Sequence, residues 1–263
     1  MVKLKNIFFR FIFLTFILFF GDKSLSQENL ANTANANIEI IYSDNYLQDN
    51  NELIIGLKFK LTPGWHIYWK NPGDSGLPIQ IEWDLPEGIE FEEILWPAPQ
   101  IAPLDPLTSY GYYDEVILPV KFSIDSNFSF ESRFSALLSF LICEEICIPE
   151  DTNILIDFSK FSQAQRDSAS SILKYWMDKL PIEANFNIQT FQSDNTFKIL
   201  WESNSALDSA YFFPEQNGLI NYSSEQILNE SSNGYFLTID KPDQFREEIN
   251  FVSGVLELNN NEK

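Results

Sequence analysis

Residues 128–158 read FSFESRFSALLSFLICEEICIPEDTNILIDF. Two runs rich in β-branched and aromatic residues, 128–143 and 146–158, are separated only by Glu144 and Glu145, a spacing that predicts two strands joined by a tight turn. Runs of the same kind lie upstream: ELIIGLKFKL (52–61), WHIYW (65–69), PIQIEW (78–83) and VILPVKFSI (116–124). Turn-forming residues separate them, and short strands at that spacing predict an antiparallel β-sandwich over about residues 38–158. Downstream, FSQAQRDSASSILKYWMDKLP (161–181) sets Ile172, Leu173, Trp176 and Leu180 at helical spacing before Pro181 ends the run. It reads as a helical connector. The strand pattern resumes in FNIQTF, TFKILW, AYFF, YFLTI and VSGVLEL, between residues 186 and 258, and predicts a second, smaller β-domain. The expected organisation is therefore all-β: a sandwich over 27–160, the connector over 161–181 and the small domain over 182–263.

The first 26 residues carry Lys3, Lys5 and Arg10 ahead of a ten-residue apolar run, followed by Ser24-Leu25-Ser26. That order is the pattern of a secretory signal peptide, with a retained membrane anchor as the alternative; the apolar run is short for a bilayer span. No later segment reaches spanning length, so the expected product is an exported protein with no membrane span after signal removal. Removing residues 1–26 takes away four positive charges and one negative, and the formal net charge moves from −21 to −24. A surface so acidic repels nucleic acid and anionic lipid, both of which need clustered Lys and Arg. With 2 Cys and 1 His in 263 residues, the chain has too few ligands for a four-ligand structural zinc site or a histidine-rich metal centre. No cofactor is expected.

The two cysteines, Cys143 and Cys147, should form a disulfide in an exported protein. If residues 144–146 make a three-residue hairpin loop, the pair faces directly across two strands, with Cα atoms about 4.5–5.5 Å apart, inside the window for a bridge. A bridge across so small a loop gives little chain-entropy stabilisation. That weak structural return favours a redox role, against the reading of a hairpin staple. Upstream, PGWHIYWKNPGDSG (63–76) contains the only histidine. In a strand, His66, Tyr68 and Lys70 share one face and Trp65, Ile67 and Trp69 the other, so one face is core and the other is free to line a site.

Taken in order, PGWHIYWKNPGDSGLP, WPAP, YGYYDEVILPVKFS and LICEEICIPED resemble the amino-terminal periplasmic domain of the DsbD and ScsB-like protein-disulfide reductases. AYFFPE and VSGVLEL are similar to a second β-domain of the longer members. The resemblance implies an immunoglobulin-like sandwich whose cysteine pair, matched by Cys143 and Cys147, takes electrons from a membrane-embedded thiol reductase and passes them to thioredoxin-like periplasmic proteins. His66 and Tyr68 match site-lining strand positions that better-known members fill with tyrosines. Residues 107–111, including Ser109, Tyr110 and Gly111, match a cap loop over the disulfide. Ser109 stands where a shielding Phe is expected, which leaves shielding to Tyr110, Tyr112 or Tyr113. Full-length members join this domain to a polytopic membrane domain and a thioredoxin-like domain; neither pattern is present here, so the resemblance implies a relay through separate proteins.

Two readings from other classes stand beside this one. In the first, the chain is an exported binding module with a structural disulfide, and its tryptophans form core or a ligand platform. In the second, Cys143, Cys147 and His66 bind Cu(I), an ion suited to thiolate and imidazole.

Overall fold

The computed structural model describes residues 28–48, 51–243 and 251–259. The proposed signal peptide, residues 1–26, lies outside the described residues. The first strands in chain order are β1 (Leu30–Asn32), β2 (Ala36–Ile41), β3 (Leu47–Gln48), β4 (Glu52–Leu61), β5 (His66–Gly73) and β6 (Gln80–Asp84). They are followed by β7 (Ile89–Ile94), β8 (Gln100–Leu104), β9 (Leu107–Tyr113), β10 (Glu115–Ile124), β11 (Arg133–Cys143) and β12 (Cys147–Asp157). One sheet runs β1-β2-β4-β10-β7, with β3 on β4; the other runs β12-β11-β5-β9-β8, with β6 on β11. The named strands pair antiparallel. The sheets face each other as the antiparallel, immunoglobulin-like sandwich expected from the sequence.

The alternation of β11 shows how the core forms. Phe134, Ala136, Leu138, Phe140 and Ile142 are buried, while Ser135, Leu137, Ser139 and Leu141 between them are half-buried, because successive side chains leave a strand on opposite faces. Across the sandwich the Phe140 ring meets Phe59 of β4 edge-on at 5.4 Å, and Phe134 meets Phe122 of β10 at 6.2 Å. Strands β4 and β10 break the alternation: both are buried over five consecutive residues. The cause is a second covering layer on their far face.

That layer is α1 (Gln163–Met177). Ser162 caps it, accepting from the Gln165 backbone N–H while the Gln165 side chain accepts from the Ser162 N–H. Ala169, Leu173 and Trp176 form its buried stripe. At Gly56 of β4 an added Cβ would lie 2.7 Å from Ile117 and 2.9 Å from Leu173, so the glycine is what lets the helix approach the sheet. The segment read as a connector is thus docked on β2, β4 and β10. Beyond it come β13 (Ile188–Gln192), β14 (Thr196–Glu202), β15 (Ser209–Pro214), β16 (Ile227–Ser231), β17 (Gly234–Asp240) and β18 (Gly254–Asn259). They form a sheet ordered β13-β14-β17-β16 and a ribbon β15-β18. Phe213 of β15 reaches the sandwich, its ring 5.0 Å from Tyr110 and 6.4 Å from Trp69. Among the described residues no helix is long and apolar enough to cross a membrane.

Docking of α1 predicts the outcome of a pair of truncations. Leu173→Ala, at a fully buried position, should lower the free energy of unfolding in urea by roughly 2–5 kcal/mol. Tyr175→Ala, on the exposed side of the same helix, should cost under about 1 kcal/mol. Equal small losses would mean that the helix is only a tether.

Candidate functional site

Strand register builds the site. Cys143 ends β11 and Cys147 begins β12, and the two are directly paired across the three-residue loop 144–146, which is closed by the Glu144 N–H donating to the Ile146 carbonyl (3.3 Å). They form a disulfide with Cα atoms 4.2 Å apart, slightly nearer than expected from strand geometry. On its other side Cys143 pairs with His66 of β5, and His66 pairs with Tyr113 of β9. One lateral row of the sheet therefore reads Cys147, Cys143, His66, Tyr113. The next row, Ile148, Ile142, Ile67 and Tyr112, points the opposite way, and the last three of these are buried in the core.

The two sulfurs have unlike surroundings. Cys143 is 1% exposed, whereas Cys147 is an exposed residue next to Ile146 at the hairpin tip. Tyr68, two residues along β5 from His66, donates its hydroxyl to Cys143 Sγ (2.8 Å) and lies 3.3 Å from Cys147 Sγ. Burial pushes the phenol above its ordinary value of 10, a shift partly opposed by the Ser75 hydroxyl, so Tyr68 is a protonated donor at neutral pH. The His66 ring packs 5.1 Å from the rings of both Tyr68 and Tyr113. Its Nδ1 is buried and has no hydrogen-bond partner among the described residues. Burial holds the imidazole below its ordinary 6.5, hence neutral at pH 7.

Residues 107–111 occupy a different place from the cap loop implied by the resemblance. They belong to β9, a strand hydrogen-bonded between β5 and β8. Period-2 alternation turns Tyr110 to the face opposite Ser109 and Gly111. There its ring packs on Phe213 and Tyr222, and its hydroxyl lies 3.1 Å from that of Tyr211. Gly111 sits opposite Tyr68, and a Cβ there would be 2.2 Å from the Ile67 carbonyl oxygen. Ser109 acts at one remove, its Oγ 2.9 Å from Ser75 Oγ and donating to the Ser75 carbonyl (3.1 Å). Tyr112 is in the core, its hydroxyl donating to Pro97 O (2.7 Å), and of the three tyrosines only Tyr113 joins the row of the sulfurs.

The cover over Tyr68 comes from residues that sequence reading passed over as a plain turn. Gly76 has φ +102°, and a Cβ there would fall 2.2–2.4 Å from the Tyr68 ring carbons. Only glycine both adopts that backbone and lets the turn lie flat on the phenol. In the disulfide-bonded form the two sulfurs are bonded to each other, and among the described residues no group of three or more His, Cys, Asp or Glu could hold a metal ion.

Neutral burial of His66 has a pH consequence. The unfolded chain binds a proton near pH 6.5 that the native imidazole resists, so the unfolded state carries more protons below that pH and stability falls as pH drops. Between about pH 6.5 and 5, above the range where Asp157 and Glu215 titrate, the urea midpoint of the wild type should decline and that of His66→Phe should stay flatter. Parallel slopes would mean that His66 protonates freely in the native state.

Residues 40–158 match the family described as "Thiol:disulfide interchange protein DsbD, N-terminal". No curated protein matches the chain. Among solved structures, the chain is similar to the N-terminal periplasmic domain of ScsB from Proteus mirabilis, with 17% sequence identity and a TM-score of 0.68. The match covers 89% of this chain and 94% of that one, too much to stop at residue 158, so the likeness of fold takes in the strands beyond α1. The disulfide, His66 and Tyr68 all lie inside the matched residues 40–158.

Proposed function

We propose that the chain works in the periplasm by thiol–disulfide exchange, relaying electrons through Cys143 and Cys147 from a membrane-embedded thiol reductase to thioredoxin-like acceptor proteins. The observation that carries this reading is the asymmetry of the bridge: an exposed cysteine, Cys147, bonded to a buried one, Cys143, whose sulfur already receives a hydroxyl hydrogen bond. A donor thiolate reaches the Cys147 sulfur and forms a mixed disulfide with it. The Cys143 sulfur leaves with the electron pair of the broken S–S bond. The Tyr68 hydroxyl, already 2.8 Å away, then bonds a thiolate in place of a neutral sulfur, and hydrogen bonds to charged acceptors are about twice as strong as neutral ones. The donor's second thiolate attacks its own sulfur in the mixed disulfide and releases Cys147, leaving the donor oxidised and this pair reduced by two electrons. Delivery to an acceptor runs the same steps in reverse: Cys147 attacks the acceptor's disulfide and Cys143 resolves the intermediate.

This assignment of Cys147 as the attacking and attacked sulfur is tested by trapping. Cys143→Ser leaves Cys147 free and without its own resolving thiol, so it should accumulate a mixed disulfide with an added thioredoxin-like protein whose resolving cysteine is replaced by Ser and whose remaining cysteine is activated as a mixed disulfide with a small aromatic thiol, which departs as the thiolate; the adduct is seen on non-reducing gels and by mass spectrometry. Cys147→Ser, with only the buried thiol left, should form that adduct at least about tenfold more slowly, since exchange depends on access. Equal trapping by both variants would contradict the assignment, and trapping by neither would contradict the exchange reading.

A further inference from the structure

Strands beyond α1 grip β5 just past Tyr68. Lys70 forms an ion pair with Glu215. Asn71, 1% exposed, donates its side-chain amide to Pro214 O (2.8 Å), with Gln216 O and the Tyr222 hydroxyl at 3.3 and 3.2 Å, while its Oδ1 accepts from the Gly73 N–H (3.1 Å). The Ser223 Oγ lies 3.0 Å from Asp74 Oδ2 and 2.8 Å from the Pro106 carbonyl, which share its one proton. Asp74 also accepts from the Thr108 N–H (2.8 Å) and gives its own N–H to Thr108 O (2.9 Å). The chain then passes through Ser75, tied to Ser109, to Gly76 on the Tyr68 ring. A continuous set of contacts thus leads from Tyr222 and Ser223 to the phenol and through it to the sulfurs. Among the described residues neither Tyr222 nor Ser223 hydrogen-bonds a sulfur.

We infer that Ser223 and Tyr222 are positioning residues for the redox pair: by fixing the end of β5 and the turn after it, residues 71–76, they hold the Tyr68 hydroxyl on Cys143, and the β15–β16 connection thereby sets the reactivity of a disulfide it does not touch. The inference rests on the exchange reading above. A turn freed from Ser223 leaves Gly76 unfixed, and the phenol then divides its time between the sulfur and other positions. The hydrogen bond that stabilises the departing Cys143 thiolate is made for only part of that time. Because Cys147 is already exposed, loosening the cover opens no new route of attack, and the expected effect is a slower reaction.

The test uses the full chain and two readouts, the rate of reduction by dithiothreitol and the thiolate pKa of the reduced pair from ultraviolet absorbance against pH. Tyr68→Phe should slow reduction about tenfold and raise the thiolate pKa, the scale of one hydrogen bond to a charged group. Ser223→Ala and Tyr222→Phe should each shift both readouts in the same direction, by about three- to tenfold in rate. Ser223→Thr, which keeps the hydroxyl at an exposed position, should restore the wild-type values. In a Tyr68→Phe background Ser223→Ala should add nothing, the mark of two residues acting through one contact. The inference is overturned if the Ser223 and Tyr222 variants keep the wild-type rate and thiolate pKa, or if they slow reduction further when Tyr68 is already Phe. A wild-type bridge that no dithiol opens under native conditions would remove the exchange reading itself, a result that needs no variant to recognise.

Discussion

Strand β11 pairs with β12 on one side and β5 on the other, and that double pairing is the constraint on which the site depends. It places Cys143 between Cys147 and His66 in one row, and a slip of one residue on either side would turn a partner to the opposite face. The register is held by burial. Phe134, Ala136, Leu138, Phe140 and Ile142 all face the core, so a shift of β11 by one residue would expose five core side chains at once. The chemistry is thereby attached to the largest free-energy term in the fold. The disulfide closes only a three-residue loop and adds little to that term.

The Tyr68 hydroxyl converts the row into a site with direction. Without it the two sulfurs differ only in exposure; with it, the buried sulfur is also the better leaving group. Separate parts of the chain converge there: β5 carries the phenol, Gly111 of β9 lets the two strand backbones approach at Ile67, and the turn ending at Gly76 covers the ring. The turn is in turn fastened from β9 by Ser109 and from the β15–β16 connection by Ser223. A neutral, buried imidazole at His66 completes the wall beside it.

Much of this was legible in the sequence, and the parts that were not share a physical reason. The hairpin around residues 143–147 and the pairing of its cysteines followed from spacing alone, since strand period and loop length fix which residues face each other. His66 and Tyr68 were placed on one strand face by the same rule. Strand β7, IEFEEI, was missed because three of its six residues are exposed glutamates and it pairs on one side only. Strand β16, ILNES, was missed because its composition is that of a loop. The docking of α1 could have been suspected from β4 and β10, whose apolar runs do not alternate. The place of Tyr110 required the register of β9, and the role of Gly76 required a contact between residues that no local pattern links. Nonlocal packing of that kind leaves no trace in periodicity.

The central claim is that the Cys143–Cys147 bond opens and closes as the protein works. Equilibration of the full chain against glutathione buffers of graded ratio, with the thiols trapped by alkylation, measures its reduction potential directly. The account predicts a value above about −300 mV, within the span of the cellular dithiol couples. A value well below that, where secreted proteins keep their permanent bridges, would make the bond a staple and contradict the account.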